Sequence, residues 1–343
     1  MQHVAIDLGG KQSQVCARAA DGKILLEQVV ATGTLERFFQ QQAKPSRIVL
    51  ETCSEAFRVA DWALASGHEV RVVPATLVRS LGVGARGIKT DRRDAQVLSE
   101  VSCRIDLPSV HIPAEQARER RTMCAMREQL LGARTALVNA VQGWRRTQLF
   151  KMRSGEPVTL PKRIRDAALA RPEGLPEYVE RLLFSIEALN VQIKAAGKEL
   201  EELANKDPVC QRLMSIPGIG PATSMRFVAA LDDITRFPSA HSVEAFLGLT
   251  PGERSSSERK RRTGITKAGP PMVRCNLVQA AWTLRRTRPL DPMCKWAEQI
   301  EQRRGKFIAT VALARKLAGV MFALWRDGTR YEPNHRKAQQ TAP

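Results

Sequence analysis

The stretch His3-Val4-Ala5-Ile6-Asp7-Leu8-Gly9-Gly10 decides the fold, because an apolar run ends there on a single carboxylate followed by two glycines. It reads as a buried strand with Asp7 at its end. A second strand is expected over Val15 to Arg18, the Asp21-Gly22 pair supplies a hairpin turn, and Ile24 to Val30 returns as a third. Thr34 to Gln41 is expected to be helical behind a threonine cap. Arg47-Ile48-Val49-Leu50 is a fourth strand, with Glu51 directly after it. Glu55 to Ala65 is a helix and Glu69 to Val73 a fifth strand. Asp91 to Cys103 is a further helix, with Val97, Leu98 and Val101 on its apolar face.

Three hairpin-linked strands followed by helix, strand, helix, strand, helix is the element order of the α/β RNase H-like fold, assigned to residues 1–110. Residues 111–206 differ in being almost wholly helical. Met123, Met126, Leu130, Ala133, Leu137, Ala140 and Trp144 recur at spacings of three and four, as do Val179, Leu182, Ile186, Leu189, Ile193, Ala196, Leu200 and Leu203. This 3.5-residue period suits a coiled coil between copies or a helical hairpin within one chain. The length of the second stripe, more than three heptads, favours contact between copies. Ser154 to Gly174, with Pro157, Pro161 and Pro172, reads as a loop. Residues 207–343 are expected to be mainly α. They carry a tight turn at Ser215-Ile216-Pro217-Gly218-Ile219-Gly220, a polar loop over Pro251 to Lys267, and a helix start at Pro270-Pro271.

The 343 residues include 54 Lys+Arg against 35 Asp+Glu, a net charge of +19. That excess is uneven. Residues 1–110 carry 14 basic and 12 acidic side chains, residues 111–250 carry 20 and 16, and residues 251–343 carry 20 and 7. Two-thirds of the excess therefore lies in the last quarter of the chain, which predicts a polyanionic partner, most simply nucleic acid. The N-terminus lacks a cationic start and apolar run, so no secretory signal is expected. Arg315 and Lys316 interrupt the longest apolar stretch, so no membrane span is expected either. Seven cysteines without CxxC or CxxH spacing argue against zinc and disulfides, and for a reducing, cytoplasmic setting.

Four carboxylates stand out. Asp7 and Glu51 end the first and fourth strands, which are neighbours in an RNase H-like sheet. Asp91 and Asp94, at i and i+3, share a face at the start of a helix that packs across those ends. Each close pair of such charges repels by roughly 4 kcal/mol at an effective dielectric near 20. Divalent cations relieve this repulsion, and hard oxygen donors suit Mg²⁺, with two ions able to clamp a phosphodiester. Blander roles exist for three of the four. Asp91 and Asp94 can complement the helix dipole, and Glu51 can cap the helix beginning near Ser54. Asp7 in its apolar setting is costly without a partner.

The second constellation runs from Arg254 through Ser255, Ser256, Ser257, Glu258, Arg259, Lys260 and Arg261 to Arg262. It joins three serines to five cations. A serine can attack a phosphodiester and conserve its bond energy, with arginines stabilising the charge on phosphorus. The plainer alternative is a phosphate-contacting loop whose serines only donate hydrogen bonds, and on physics alone it is favoured. Lys267 extends the basic surface. Gly218 and Gly220 can present backbone N–H groups to a DNA phosphate, or form an ordinary turn between helices.

Six motifs occur in one order: Asp7; Glu51; Lys89-Thr90-Asp91-Arg92-Arg93-Asp94-Ala95; Ser215 to Gly220; Gly248-Leu249-Thr250-Pro251; and Thr266-Lys267-Ala268-Gly269. In this the chain resembles the DEDD transposases of insertion-sequence family one hundred and ten, the bridge RNA-guided recombinases related to Piv-type DNA invertases. The resemblance covers nearly the whole chain. It implies a RuvC-like domain, a coiled-coil insertion and a C-terminal transposase domain, with Asp7, Glu51, Asp91 and Asp94 as the metal-binding tetrad. The family's nucleophilic serine lies five residues past the proline of the GLTP motif, which is Ser256 here. The family often shows a Ser-Gly pair where this chain has three serines, so the choice among them stays open, with Ser255 second. The resemblance further implies donor and target DNA as substrates and a noncoding guide RNA. Holding two DNAs, together with the helical stripes, suggests a homo-oligomer, dimer or tetramer. Arg163, Arg285, Arg286, Arg288, Arg303 and Arg304 leave room for RNA.

Other signals fit less well. Gly82-Val83-Gly84-Ala85-Arg86-Gly87 matches GxGxxG, but no apolar helix of a βαβ unit follows it. Asp7-Leu8-Gly9-Gly10-Lys11 resembles the first phosphate motif of actin-like ATPases and sugar kinases, a reading that leaves the basic last quarter unexplained. A non-catalytic nucleic-acid-binding protein on a degenerate nuclease fold is the other alternative. Trp282, Trp296 and Trp325 read as core rather than as base-stacking platforms.

Overall fold

The computed structural model describes residues 1–80, 91–169, 173–253 and 262–333. It forms two compact units, Met1–Pro113 and Ala114–Pro343. The first is a mixed α/β unit. Its strands are β1 (Gln2–Asp7), β2 (Gln12–Arg18), β3 (Ile24–Ala31), β4 (Ser46–Glu51) and β5 (Glu69–Val73), in the spatial order β3-β2-β1-β4-β5. β1, β2 and β3 pair antiparallel, whereas β1, β4 and β5 run parallel. Hairpin turns suffice for the first three. The parallel strands need helical crossovers, supplied by α1 (Leu35–Gln41) with its preceding turn and by α2 (Ala56–Ala65).

Successive side chains on a strand point to opposite faces. Val4, Ile6, Ile48, Leu50 and Val72 therefore share one face, buried with Phe39 of α1 and Val59 and Ala63 of α2. Ala5, Val49 and Val73 share the other, buried with Val78 of α3 (Ala75–Ser80) and Leu98 of α4 (Asp91–Arg104). Helix α3 was not expected from the sequence. His3, on the same face as Ala5, hydrogen-bonds through Nδ1 to Ser102 Oγ of α4 at 2.8 Å. Burial, and then the Arg47 charge, keep that imidazole below its usual pKa, favouring the neutral form suited to an interior contact.

Among the described residues, the regular structure of the second unit is helical apart from one hairpin. Helices α5 (Glu115–Thr147) and α7 (Glu177–Lys206) pack antiparallel. Arg134 Nη1 donates to Asn190 Oδ1 at 3.1 Å, and Arg127 lies beside Gly197, so positions in register sum to a constant. The two stripes meet in part within the chain, Leu137 and Trp144 sharing a cluster with Val179, Leu182 and Ile186, while Met126 of the first stripe stays 62% exposed. The expected loop at 154–174 also contains a helix, α6 (Leu160–Ala168). Its Pro161 sits in the first turn, where no N–H is needed, and Leu160, Ile164 and Ala168 repeat at one-turn spacing on a buried face.

Six further helices complete the unit: α8 (Pro208–Leu213), α9 (Pro221–Leu231), α10 (Ala240–Phe246), α11 (Pro271–Thr287), α12 (Pro292–Arg304) and α13 (Lys306–Asp327). Their common core includes Leu213, Phe227, Leu247, Leu277, Leu313, Leu317 and Met321, all fully buried, and also takes in Cys124 of α5 and Leu200 of α7. By length and composition α13 is apolar enough to cross a membrane, yet half of it is buried in this core. Its two central charges are both engaged: Arg315 pairs with Glu244, and Lys316 Nζ lies 4.2 Å from the Trp296 ring centre.

Candidate active site

The parallel register sets Ile6 opposite Leu50, so Asp7 and Glu51 follow as neighbours at the same strand ends. Alternation turns both toward the face covered by α4. Helix α4 runs against β1, one helical turn to every two strand residues: Ser102 meets His3, and Leu98 shares a cluster with Ala5. Four helix residues rise about 6 Å and two strand residues about 6.6 Å, so the repeats match. Continued one step further, the same repeat carries Asp94 toward the end of β1 that bears Asp7. Asp94 is buried, at 7% exposure, a position in which a carboxylate requires compensating interactions. Asp91 is the first residue of α4. Its side chain lies outside the described residues, and among those described no group of three or more His, Cys, Asp or Glu is close enough to hold a metal ion. The donor chemistry of Asp7, Glu51 and Asp94, all hard oxygen, fits Mg²⁺.

Sequence reasoning missed the residue that holds this end of α4. Glu27, on β3, accepts hydrogen bonds from Arg92 at 2.6 Å and from Gln96. Those bonds, the Gln96 bond foremost, hold the Glu27 carboxyl below its ordinary pKa of 4.5. A lowered folded pKa contributes stability that is complete above the ordinary value and lost as pH falls through the lowered one. We therefore expect Glu27→Ala to lower the melting temperature at pH 7, with the gap to the parent closing as pH falls below about 4.5.

In the second unit, β6 (Pro251–Glu253) and β7 (Arg262–Ile265) form an antiparallel hairpin within the segment expected to be loop. Alternating apolar residues do not mark these strands, since Pro251 and Gly252 are poor strand formers. Backbone partners hold them instead: Thr266 N donates to Thr250 O at 2.9 Å and Lys267 N to Gly248 O at 3.1 Å. The two flanking motifs, Gly248 to Pro251 and Thr266 to Gly269, are thus two sides of one clamp. Gly248 and Gly269 both have φ near +68, and a Cβ on either would overlap a facing carbonyl oxygen, that of Ala268 or Phe246. Arg274 on α11 closes the clamp, its Nη1 reaching the carbonyl oxygens of Leu247 and Gly269 at 3.1 Å and also that of Ala268. Sequence analysis did not single out Arg274, since nothing local distinguishes it from neighbouring cations. Gly269→Ala should cost roughly 2 kcal/mol or more in denaturant unfolding. Gly264→Ala, where a Cβ meets open space, should be nearly neutral.

The hairpin strands lead into and out of the serine segment. Arg254, Ser255, Ser256, Ser257, Arg259, Lys260 and Arg261 lie outside the described residues, as does the side chain of Arg262; so do Gly82 to Gly87. Lys267 is exposed at the foot of the clamp, with φ of 58°. Gly218 has a packing role, its φ of +92° letting the turn approach the backbone of α11 at Ala280 and Leu284. Ile216 and Ile219 beside it are buried, while Gly220 opens α9 as its N-cap. Arg163 spends its donors on Thr159, Arg153 and Glu156 nearby.

Comparison with known proteins adds the rest. A transposase family model of the DEDD type named for IS110 matches residues 4–144. A second, described as the transposase IS116/IS110/IS902 family, matches residues 210–292. The chain is 26% identical over 340 residues to a "Probable family 20 transposase" of Pseudomonas aeruginosa, covering 97% of this chain and 99% of that one. It is 28% identical over 331 residues to the transposase for insertion sequence element IS1111A of Coxiella burnetii, covering 94% and 88%. Against the transposase for IS1328 of Yersinia enterocolitica the figures are 27% over 337 residues, 95% and 97%.

Proposed function

Since the chain belongs to the IS116/IS110/IS902 family of insertion-sequence transposases, we propose that it cuts and exchanges DNA strands between a donor and a target, using carboxylates of one unit and a serine of the other. The observation that carries this reading is the meeting of Asp7 and Glu51 at adjoining strand ends, on the face crossed by the helix that holds Asp94. The strand order β3-β2-β1-β4-β5 supports an RNase H-like, RuvC-like assignment for that unit.

Asp7, Glu51, Asp91 and Asp94 would hold Mg²⁺, two ions in the full site. Bound there, Mg²⁺ supplies positive charge to the phosphoryl oxygens of the scissile bond. Ser256 Oγ attacks phosphorus and gives up its proton. The Oγ–P bond forms, the bond from phosphorus to a sugar oxygen breaks, and that oxygen takes up a proton. Attack by a sugar hydroxyl of the other DNA reverses these changes, so strands exchange without net hydrolysis. Arg254, Ser255, Ser257, Arg259, Lys260, Arg261, Arg262 and Lys267 contact the DNA backbone around this loop, and Gly218 and Gly220 add backbone contacts.

A noncoding bridge RNA selects both DNAs by base pairing, and the basic last quarter of the chain supports a nucleic-acid partner of this kind. The enzyme works as a homo-oligomer, dimer or tetramer, in the bacterial cytoplasm on nucleoid DNA. Phe184 and Val191 of α7, 71% and 65% exposed, are apolar surface left for such contact. The test is to incubate the protein with Mg²⁺, RNA transcribed from the noncoding end of its element, and both DNA sites, then denature. A protein–DNA adduct that resists denaturant and disappears with EDTA is expected. Recombination without any adduct would overturn the covalent route.

A further inference from the structure

Phe307, the second residue of α13, is 80% exposed, an unusual position for a large aromatic ring. It is not isolated. Its ring meets Trp282 of α11 edge-on, with centroids 6.2 Å apart and planes at 79°. Trp282 is only half-buried, unlike the core role expected of it. Lys306 Nζ lies 5.3 Å from the Trp282 ring centre and Arg285 Cζ 5.7 Å from it. Arg285 is committed to structure, bonding Thr310 at 2.9 Å and pairing with Glu301. By contrast Arg286 and Lys306, beside Trp282, and Arg304, beside Phe307, are exposed.

Two further observations fix the kind of occupant. Helix α13 opens on Lys306 with no acidic residue in its first turn and no side-chain cap, so its positive end is reinforced rather than neutralised. Beside Phe307 a groove of about 600 Å³ runs between α13 and the β6–β7 hairpin, lined by Pro251, Thr263, Ile265, Arg304 and Val311. Exposed aromatic faces among cations suit an unpaired nucleic-acid strand, whose bases stack while its phosphates are neutralised. A duplex offers phosphates but no free base face. The same hairpin leads into the serine segment, where the proposed function puts strand cleavage.

We propose that the Phe307–Trp282 surface binds an unpaired stretch of the DNA strand being exchanged, with a base stacked on Phe307. The choice of DNA rests on the serine segment being where strands are cut; the stacking itself does not. Strand exchange requires bases beside the break to leave their old partners, and a stacking platform lowers the cost of that unpaired state.

The test uses the full chain and a 2-aminopurine-labelled single-stranded DNA of about 20 nucleotides, against the duplex and the RNA strand of the same sequence. Phe307→Ala should weaken single-strand binding about tenfold and abolish 2-aminopurine quenching, with duplex affinity nearly unchanged. Phe307→Tyr should retain both. Because Phe307 is exposed, loss of folding is not an expected complication. Equal weakening on duplex and single strand, no change at all, or a loss confined to the RNA strand would overturn the proposal. So would a change in oligomeric mass by light scattering with single-strand affinity intact, which would make this face a contact between copies. Bond breakage plays no part in the assay, so a failure of the covalent mechanism would show separately, as an absent adduct with quenching preserved.

Discussion

Ser256→Ala is expected to abolish the denaturant-stable protein–DNA adduct and to lower strand exchange by ~10⁴-fold or more, since no other group would replace the proposed nucleophile at the same phosphorus. Affinity for DNA should change little, because the five cations of the segment, Arg254, Arg259, Lys260, Arg261 and Arg262, remain. Ser255→Ala and Ser257→Ala should keep the adduct. If Ser256→Ala keeps it and Ser255→Ala loses it, the nucleophile is Ser255, an outcome the run of three serines makes worth testing. Mass spectrometry of the digested adduct identifies the modified residue directly.

Asp7→Asn is expected to reduce adduct formation and recombination by ~10³-fold or more, while leaving the fold intact. The exchange is nearly isosteric and removes one charge from the end of β1, next to the strand end that carries Glu51. Metal-assisted charge stabilisation is worth several kcal/mol, and each 1.36 kcal/mol is tenfold in rate. Thermal melting separates this from a packing defect. Without Mg²⁺ the variant should be as stable as the parent or more so, because like charges no longer repel. Adding Mg²⁺ should raise the melting temperature of the parent by mass action and leave the variant unmoved. A variant that recombines at the parent rate would remove Asp7 from the site.

The N-terminal sheet was legible because its central parallel strands are short apolar, β-branched runs. Val4 to Ile6 and Ile48 to Leu50 can be little else. Those runs also announced where Asp7 and Glu51 would sit, since both follow an apolar run that must end at the sheet edge. Legibility failed where structure depends on distant backbone. Leu160 to Ala168 was obscured by Pro161, which marks a helix start as readily as a loop. The partner of the α7 stripe was not readable, because a heptad pattern states that a face is covered and not by what. Gly248 and Gly269 were visible as motif residues, but their reason is a close approach between segments about twenty residues apart. Glu27 and Arg274 were missed for the same cause: each is an ordinary charged residue whose partners only the fold supplies.

Helix α13 also sets the order in which a newly made chain can become competent. Residues 1–113 hold a self-contained core and can fold as soon as they leave the ribosome. The second unit cannot close its core until Leu313, Leu317 and Met321 have been synthesised, because they fill its centre. At ordinary elongation rates of about 5–20 residues per second, those last helical turns arrive roughly 10–40 s after the first unit is complete. A message truncated before α13 would therefore release the carboxylate-bearing half in folded form and leave the serine-bearing half without its core, unable to hold the hairpin that leads to Ser256.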